Sequence, residues 1–341
     1  MRFSARTPLI LAFLMAGCSA DRPEPPPDPT PVPQPTLAPV SQPFRTQTAF
    51  VDNVLSIDVR YPEGRARTLN TALHLLWSSG HFLPRPPMPG HSSREWLLTD
   101  NHHDGKVLLY ATASWNDDNP GDYLAAGWWL VYPPEEPDIT AFESATRGVF
   151  IDGPELDPAS PPDLPLASTA TYVGGAGGVY TYTYGRDWDD LAGSSELTEF
   201  QSLVALTADF DSNRVTGCLG CIEPIGIAPG QHLHPVVTWQ DPEPTALPAD
   251  YDIHLSASLG ANGAFEDTAI TVMHPERTVT QAAGTWHGQF SNVPDVDGYP
   301  RRVVGSTDVH FAEADGSHGR FTGIFDALTP ESVNPDGGGA D

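Results

Sequence analysis

Three segments near the C-terminus place glycine and bulky side chains in alternation, and this limits the fold more than any other feature. Along 284–290 one face carries Gly284, Trp286, Gly288 and Phe290, and the other carries Thr285, His287 and Gln289. Along 319–325 one face carries Gly319, Phe321, Gly323 and Phe325. Along 301–311 one face carries Val303, Gly305, Thr307, Val309 and Phe311. Strand side chains point alternately to opposite faces, so each row lies on one side of a sheet. A small-large row suits the taper of a small closed barrel, where glycine leaves room for a neighbouring bulky side chain to fill the axis. Closure also removes exposed sheet edges.

Counting extended segments supports the same reading. They lie at 169–179, 180–184, 200–210, 214–218 with the chain after it, 251–258, 263–271, 284–290, 303–311 and 319–325. The first two are one strand or two, so the total is eight or nine. Turn residues separate them, as at Asp211-Ser212-Asn213, Ala261-Asn262-Gly263 and Ala314-Asp315-Gly316-Ser317. Residues 166–328 therefore read as an eight-stranded antiparallel up-and-down β-barrel with a packed interior.

Upstream, residues 44–165 read as a small, mainly β region. The runs 106–115 and 123–132 pair as an antiparallel hairpin across the turn cluster Asn116–Gly121, and 148–151 is a short third strand. Residues 68–78 are predicted as one short helix. Leu69, Ala72, Leu73, Leu76 and Trp77 share a helical face, Thr68 caps it, and Gly80 stops it. The fold class is all-β.

Composition narrows the function. With 36 Pro and 31 Gly in 341 residues, a long helical bundle is excluded. A formal charge of −27 excludes a nucleic-acid binder, which needs basic surface against phosphates. Hydrophobic residues still make up 39% of the chain, enough for a core.

The N-terminus carries Arg2 and Arg6, an apolar run over 9–16, and then Ala16-Gly17-Cys18. The apolar run is too short to span a bilayer. The pattern resembles a bacterial lipoprotein signal: 1–17 is removed and Cys18 is acylated, which makes the lipid bilayer the first expected partner. Ser19 resembles the sorting residue of outer-membrane lipoproteins, where Asp would retain the chain in the inner membrane. Removing 1–17 takes two Arg and no acid, so the charge moves from −27 to −29. Residues 18–43 form a Pro-rich stalk with ten prolines, polyproline II in character and about 3.1 Å long per residue. The Pro-, Gly- and acid-rich segment 329–341 reads as a flexible tail.

Gly284-Thr-Trp-His-Gly-Gln-Phe290, Val303-Val304-Gly305 and Gly319-Arg-Phe-Thr-Gly-Ile-Phe-Asp-Ala327 resemble the β-barrel domain of transferrin-binding-protein-B-like surface lipoproteins. That group includes the factor-H-binding-protein barrel. Residues 170–180, Ala-Thr-Tyr-Val-Gly-Gly-Ala-Gly-Gly-Val-Tyr, resemble its Gly-rich entry strand, and 122–130 resemble the segment that precedes it in solute-binding-like members. The resemblance covers residues 120–330 and implies an exported, lipidated barrel that binds a protein or a metal carrier. This chain departs from the two-lobed host-protein binders, since its length holds one barrel and one preceding element.

Chemistry-bearing residues are few. Cys218-Leu219-Gly220-Cys221 is a C-x-x-C, expected as a disulfide once Cys18 is consumed by lipid. A redox pair, or zinc with Glu223, His232 and His234, are the alternatives. His102-His103-Asp104 and His232-x-His234 read as solvated loop histidines. Asp117, Asp118, Asn119 and Asp122 suit a turn as well as Ca²⁺. The chain contains no Gly-x-Ser-x-Gly, H-E-x-x-H, P-loop or dinucleotide-binding signature, so no catalytic residue, cofactor or metal is assigned and the expectation is a non-enzyme. Trp128, Trp129 and Trp188 are the candidate partner contacts. Trp128 and Trp129 are adjacent, so they face opposite sides of a strand, one of them core and the other against the barrel or a partner. The expected function is an outer-membrane lipoprotein, at the cell surface, binding a protein or solute. A structural envelope lipoprotein and a metal-assisted enzyme are the alternatives.

Overall fold

Strand-forming runs with few helix formers between them build an almost purely β molecule. The structure is a computed structural model that describes residues 47–60, 66–79, 90–102, 105–132, 146–157, 159–221, 234–236, 250–267 and 270–330. The signal segment, Cys18, the stalk and 331–341 lie outside the described residues. No helix among the described residues is long and apolar enough to cross a membrane.

Residues 169–330 contain the expected barrel. Its strands are β9 (Thr169–Thr183), β10 (Ser195–Asp209), β11 (Arg214–Leu219), β13 (Asp252–Leu259), β14 (Ala264–Asp267) with β15 (Thr271–Met273), β16 (Val279–Phe290), β17 (Arg302–Glu313) and β18 (His318–Leu328). A short β12 (His234–Val236) pairs with β10 beyond the end of β11. Every pairing is antiparallel, and the sheet closes where β18 meets β9. The Gly-rich run at 169–183 is one strand, and β14 and β15 share one strand position opposite β13. That settles the count at eight.

The small-large rows face the axis as expected. Phe265 lies opposite Gly288 in register, and Phe325 opposite Gly305. A Cβ at either glycine would lie 2.1 Å from the Cζ of that ring. Each aromatic ring thus lies across its neighbour's glycine, and this lets Tyr172, Tyr180, Phe200, Trp286, Phe290, Phe311 and Phe321 also fit inside.

Two further sheets precede the barrel. Strands β1 (Gln47–Val51), β2 (Val54–Arg60) and β3 (Ala66–Asn70) form a three-stranded meander. Strands β4 (Leu75–Ser79), β5 (His91–His102), β6 (Gly105–Asn116), β7 (Tyr123–Tyr132) and β8 (Thr146–Asp152) form a five-stranded one. The expected 106–132 hairpin is β6–β7. Its near-continuous apolar runs follow from burial on both faces. Leu109, Ala111, Ala125 and Trp129 pack with Phe50, Leu55, Ile57 and Leu69 of the small sheet. Leu108, Tyr110, Ala126, Trp128 and Leu130 pack on Val179, Leu197 and Ile324 of the barrel wall. The molecule is layered: small sheet, five-stranded sheet, barrel.

Two expectations are corrected. The helix over 68–78 does not form: the chain passes from β3 through a turn into β4, and the described residues before Thr329 contain no α-helix, only 3-10 turns such as Pro154–Leu156. Asn70 caps a single tight turn: its Oδ1 accepts the N–H groups of Ala72 (3.1 Å) and Leu73 (2.8 Å), and its carbonyl accepts the His74 N–H at 3.0 Å. The turn goes no further because the chain from Leu75 pairs with β5 instead. Leu69 is buried while Leu73 is 79% exposed, so the apolar residues share no face. The tail also begins later than expected. Thr329 is buried, and its N–H donates to the Arg301 carbonyl at 3.1 Å.

Candidate functional site

The chain turns at one end of the barrel bring together the β9–β10 loop, the chain between β15 and β16, and the β17–β18 turn. Residues 186–191 of the β9–β10 loop form a kinked 3-10 turn, broken at Asp189 with φ 35°. This loop carries Trp188. Gly185 lets it approach the β17–β18 turn: the Gly185 N–H donates to Ser317 Oγ at 2.8 Å, and a Cβ there would lie 2.4 Å from the Ser317 nitrogen. Ser317 Oγ donates in turn to Asp315 Oδ2 at 2.8 Å.

Beneath the loop lies a buried carboxylate, Glu313, at the end of β17. Three donors reach it: Tyr182 Oη at 2.8 Å, Tyr251 Oη at 2.6 Å and Arg277 Nη1 at 3.0 Å. Arg277 also stands 3.7 Å from Asp315 and lays its guanidinium over the Trp188 ring, 4.7 Å from its centroid. Burial opposes the charge on Arg277, but Tyr182, Glu313, Tyr251 and Asp315 outweigh it and hold the group above the usual arginine range. Burial pushes the Tyr182 and Tyr251 hydroxyls far above the ordinary phenol range, so they stay protonated donors. Tyr184 meets Trp188 edge to face at 5.0 Å.

Both oxygens of Glu313 accept from strong donors, so the group is poorly placed to act as a base. The cluster closes this end of the barrel. Trp188 is half-buried at its outer edge, flanked by the exposed acids Asp187, Asp189 and Asp190. The sequence singled out Trp188. It did not single out Arg277, Glu313 or Tyr251, which come from distant turns; a lone Glu at the end of an otherwise apolar row was the one local signal.

The other tryptophans are inside. Trp129 is wholly buried among the small-sheet residues, and Trp128 is buried between the five-stranded sheet and the barrel, stacked on Tyr110 at 5.8 Å. They face opposite sides of β7, as expected, and neither presents surface to a partner in this structure.

Cys218 and Cys221 are joined as a disulfide, with Cα atoms 5.7 Å apart. Glu223 and His232 lie outside the described residues, as do His103 and Asp104, and of His234 only the backbone is described, on β12. The sequence missed His254, which β13 places opposite Cys218, with Nε2 3.6 Å from Cys221 Sγ. Residues 116–122 form a turn: Asn116 Oδ1 accepts the N–H groups of Asp118 and Asn119, and the Asn116 N–H donates to the Asp122 carbonyl.

A polar layer lies between the sheet and the barrel wall. Asp308 on β17 receives Arg320 through Nε at 2.7 Å and Nη2 at 2.5 Å, and Thr322 at 3.1 Å. Arg147 on β8 donates to Thr181 at 3.1 Å. Nearby, Glu155 accepts Arg301 and Ser291 and lies 3.7 Å from Arg302. Burial pushes the Glu155 carboxyl up, but Arg302 and Arg301 outweigh it and hold it below the usual range. This layer fixes one wall and is closed to solvent.

No family model matches the chain, and no curated protein is significantly similar to it.

Proposed function

We propose that this chain is a lipid-anchored, non-catalytic binding module of the outer membrane, of the kind to which transferrin-binding-protein-B-like surface lipoproteins belong. Acylated Cys18 holds it to the bilayer and the Pro-rich segment sets the folded part off from the membrane. A protein or solute partner is recognised at the loops, with Trp188 as the anchor. One observation carries the reading: the barrel axis is filled by side chains and the β9–β18–β17 wall is covered by a sheet, and of the three candidate tryptophans Trp188 alone, on an end loop, reaches the surface. Trp and Arg are among the residue types enriched at the energetic centres of interfaces. The acidic rim of Asp187, Asp189 and Asp190 favours a partner with cationic groups.

Two experiments test this. Cys18→Ser is expected to release the chain from the membrane fraction; retention there overturns the anchor. Protease added to intact cells is expected to digest the folded part while a periplasmic marker survives. Digestion only after permeabilisation overturns the surface-partner reading.

A further inference from the structure

The C-x-x-C pair has a third neighbour with a metal-ligating side chain, His254. Cys218 and His254 are cross-strand partners on the outer face of β11 and β13, while Leu219, Ile253 and Leu255 point inward. Gly220, at φ +93°, then turns the chain so that Cys221 comes back over Cys218. A Cβ at Gly220 would lie 2.7 Å from the Tyr251 carbonyl, so the turn sits tightly against β13. Cys221 is exposed, and the two sulfurs and a ring nitrogen of His254 all lie within 4.8 Å of one another.

We propose that, in its dithiol form, this trio binds a thiophilic divalent cation, Zn²⁺ above all, through Cys218 Sγ, Cys221 Sγ and His254 Nε2. The trio shares no residue with the Trp188–Arg277–Glu313 cluster, and the proposal does not rest on the binding role given above.

The chemistry of the donor set supports this. Two thiolates and a neutral imidazole are the ligands Zn²⁺ prefers, at about 2.3 Å for sulfur and about 2.0–2.1 Å for nitrogen. The Cα separation of 5.7 Å suits a disulfide and lets two sulfurs close on one metal. In the disulfide, Cys221 Sγ is at most a weak acceptor for a His254 N–H; in the dithiol form a thiolate or a shared metal makes a far stronger partner for the same nitrogen. The pair stands at the surface, open to exchange with an external dithiol. That exchange takes two electrons and two protons from the dithiol, which becomes a disulfide, and returns Cys218 and Cys221 to thiols. Zn²⁺ then displaces the two thiol protons and takes the His254 lone pair, and a water fills the fourth position. Metal and disulfide thus compete for the same sulfurs, so oxidation empties the site. The strongly acidic chain raises the local concentration of cations around it.

The test uses the full chain in detergent, reduced with a phosphine and freed of metal. Co²⁺ serves as the spectroscopic probe, and Zn²⁺ is titrated against a chromophoric chelator. The reduced chain is expected to bind one equivalent, with sulfur-to-cobalt charge-transfer absorption, and the oxidised chain none. His254→Ala is expected to weaken binding by at least the ~10–100-fold seen for lesser ligand-shell changes, without altering the near-UV circular dichroism of the metal-free protein. Binding no tighter than in a Cys218→Ser/Cys221→Ser double variant overturns the proposal. So does unchanged affinity in His254→Ala, or a fold lost on reduction that Zn²⁺ does not restore.

Discussion

Lowering the pH should loosen the barrel from its sheet through a single histidine. His310 lies on the outer face of β17, buried beneath the five-stranded sheet. Burial first, then the positive charges of Arg320 on β18 and Arg147 on β8, disfavour its protonation, with His318 adding to them. Asp308, whose Oδ1 is 3.9 Å from His310 Nε2, pulls the other way but is already engaged by Arg320. The balance leaves His310 titrating at about 4, against 6.5 in an unfolded chain. Between those values the unfolded chain binds a proton that the folded one does not. Stability is therefore fully present above about pH 7, falls as the pH drops through 6.5, and levels off below about 4. At 1.36 kcal/mol for each tenfold step, the loss is about 3 kcal/mol. Urea denaturation of the wild type and His310→Gln, stepped between about pH 7.5 and pH 4, isolates this effect from the carboxylates common to both. The stability difference between the two proteins should change by about 3 kcal/mol across the range. A difference that stays flat would refute the reasoning.

Other outcomes follow from the packing. Gly305→Ala should cost about 3 kcal/mol, the upper part of the overpacking range, because the new Cβ meets the His287 carbonyl at 2.3 Å as well as the Phe325 ring. Gly193→Ala has open space around it but a φ of +82°, so it should cost only about 1 kcal/mol; equal losses in denaturant would contradict the steric account. Trp128→Ala should destabilise by about 3–5 kcal/mol and raise dye binding by exposed apolar surface, since it empties the space between sheet and barrel. Reducing Cys218–Cys221 opens so short a loop that it should cost only about 2 kcal/mol, leaving the tryptophan and tyrosine bands of the near-UV circular dichroism intact.

The barrel was legible because its signal is local. Gly284, Trp286, Gly288 and Phe290 declare their shared face within seven residues, and the cross-strand glycine-to-ring fit merely completes it. The β6–β7 hairpin was also legible, and the adjacent Trp128 and Trp129 pointed to two different faces, although the small sheet that covers one of them was not. Residues 68–78 failed because apolar spacing alone cannot weigh a helix against the strand pairings on either side of the turn, β3 with β2 and β4 with β5. At the barrel end, Trp188 stood out among acids, whereas Glu313, Tyr251 and Arg277 converge from separate turns and acquire meaning only by proximity. His254 was hidden for the same reason: only the β11–β13 register sets it against Cys218.

The pairing of β9 with β18 has a consequence for how the molecule is made. The first barrel strand to emerge from a ribosome hydrogen-bonds with the last, so the cylinder cannot shut until Leu328 exists. Any truncated product keeps two raw edges, and contacts between such distant parts of the chain form slowly. Val179 and Ile324 from that junction lie under Trp128 and its neighbours, so the upstream sheet, made earlier, is laid across the join like a splint. The join that needs both ends of the barrel segment is thereby also a covered one. A chain built this way stays threadable throughout synthesis and becomes resistant to unzipping only once it is whole.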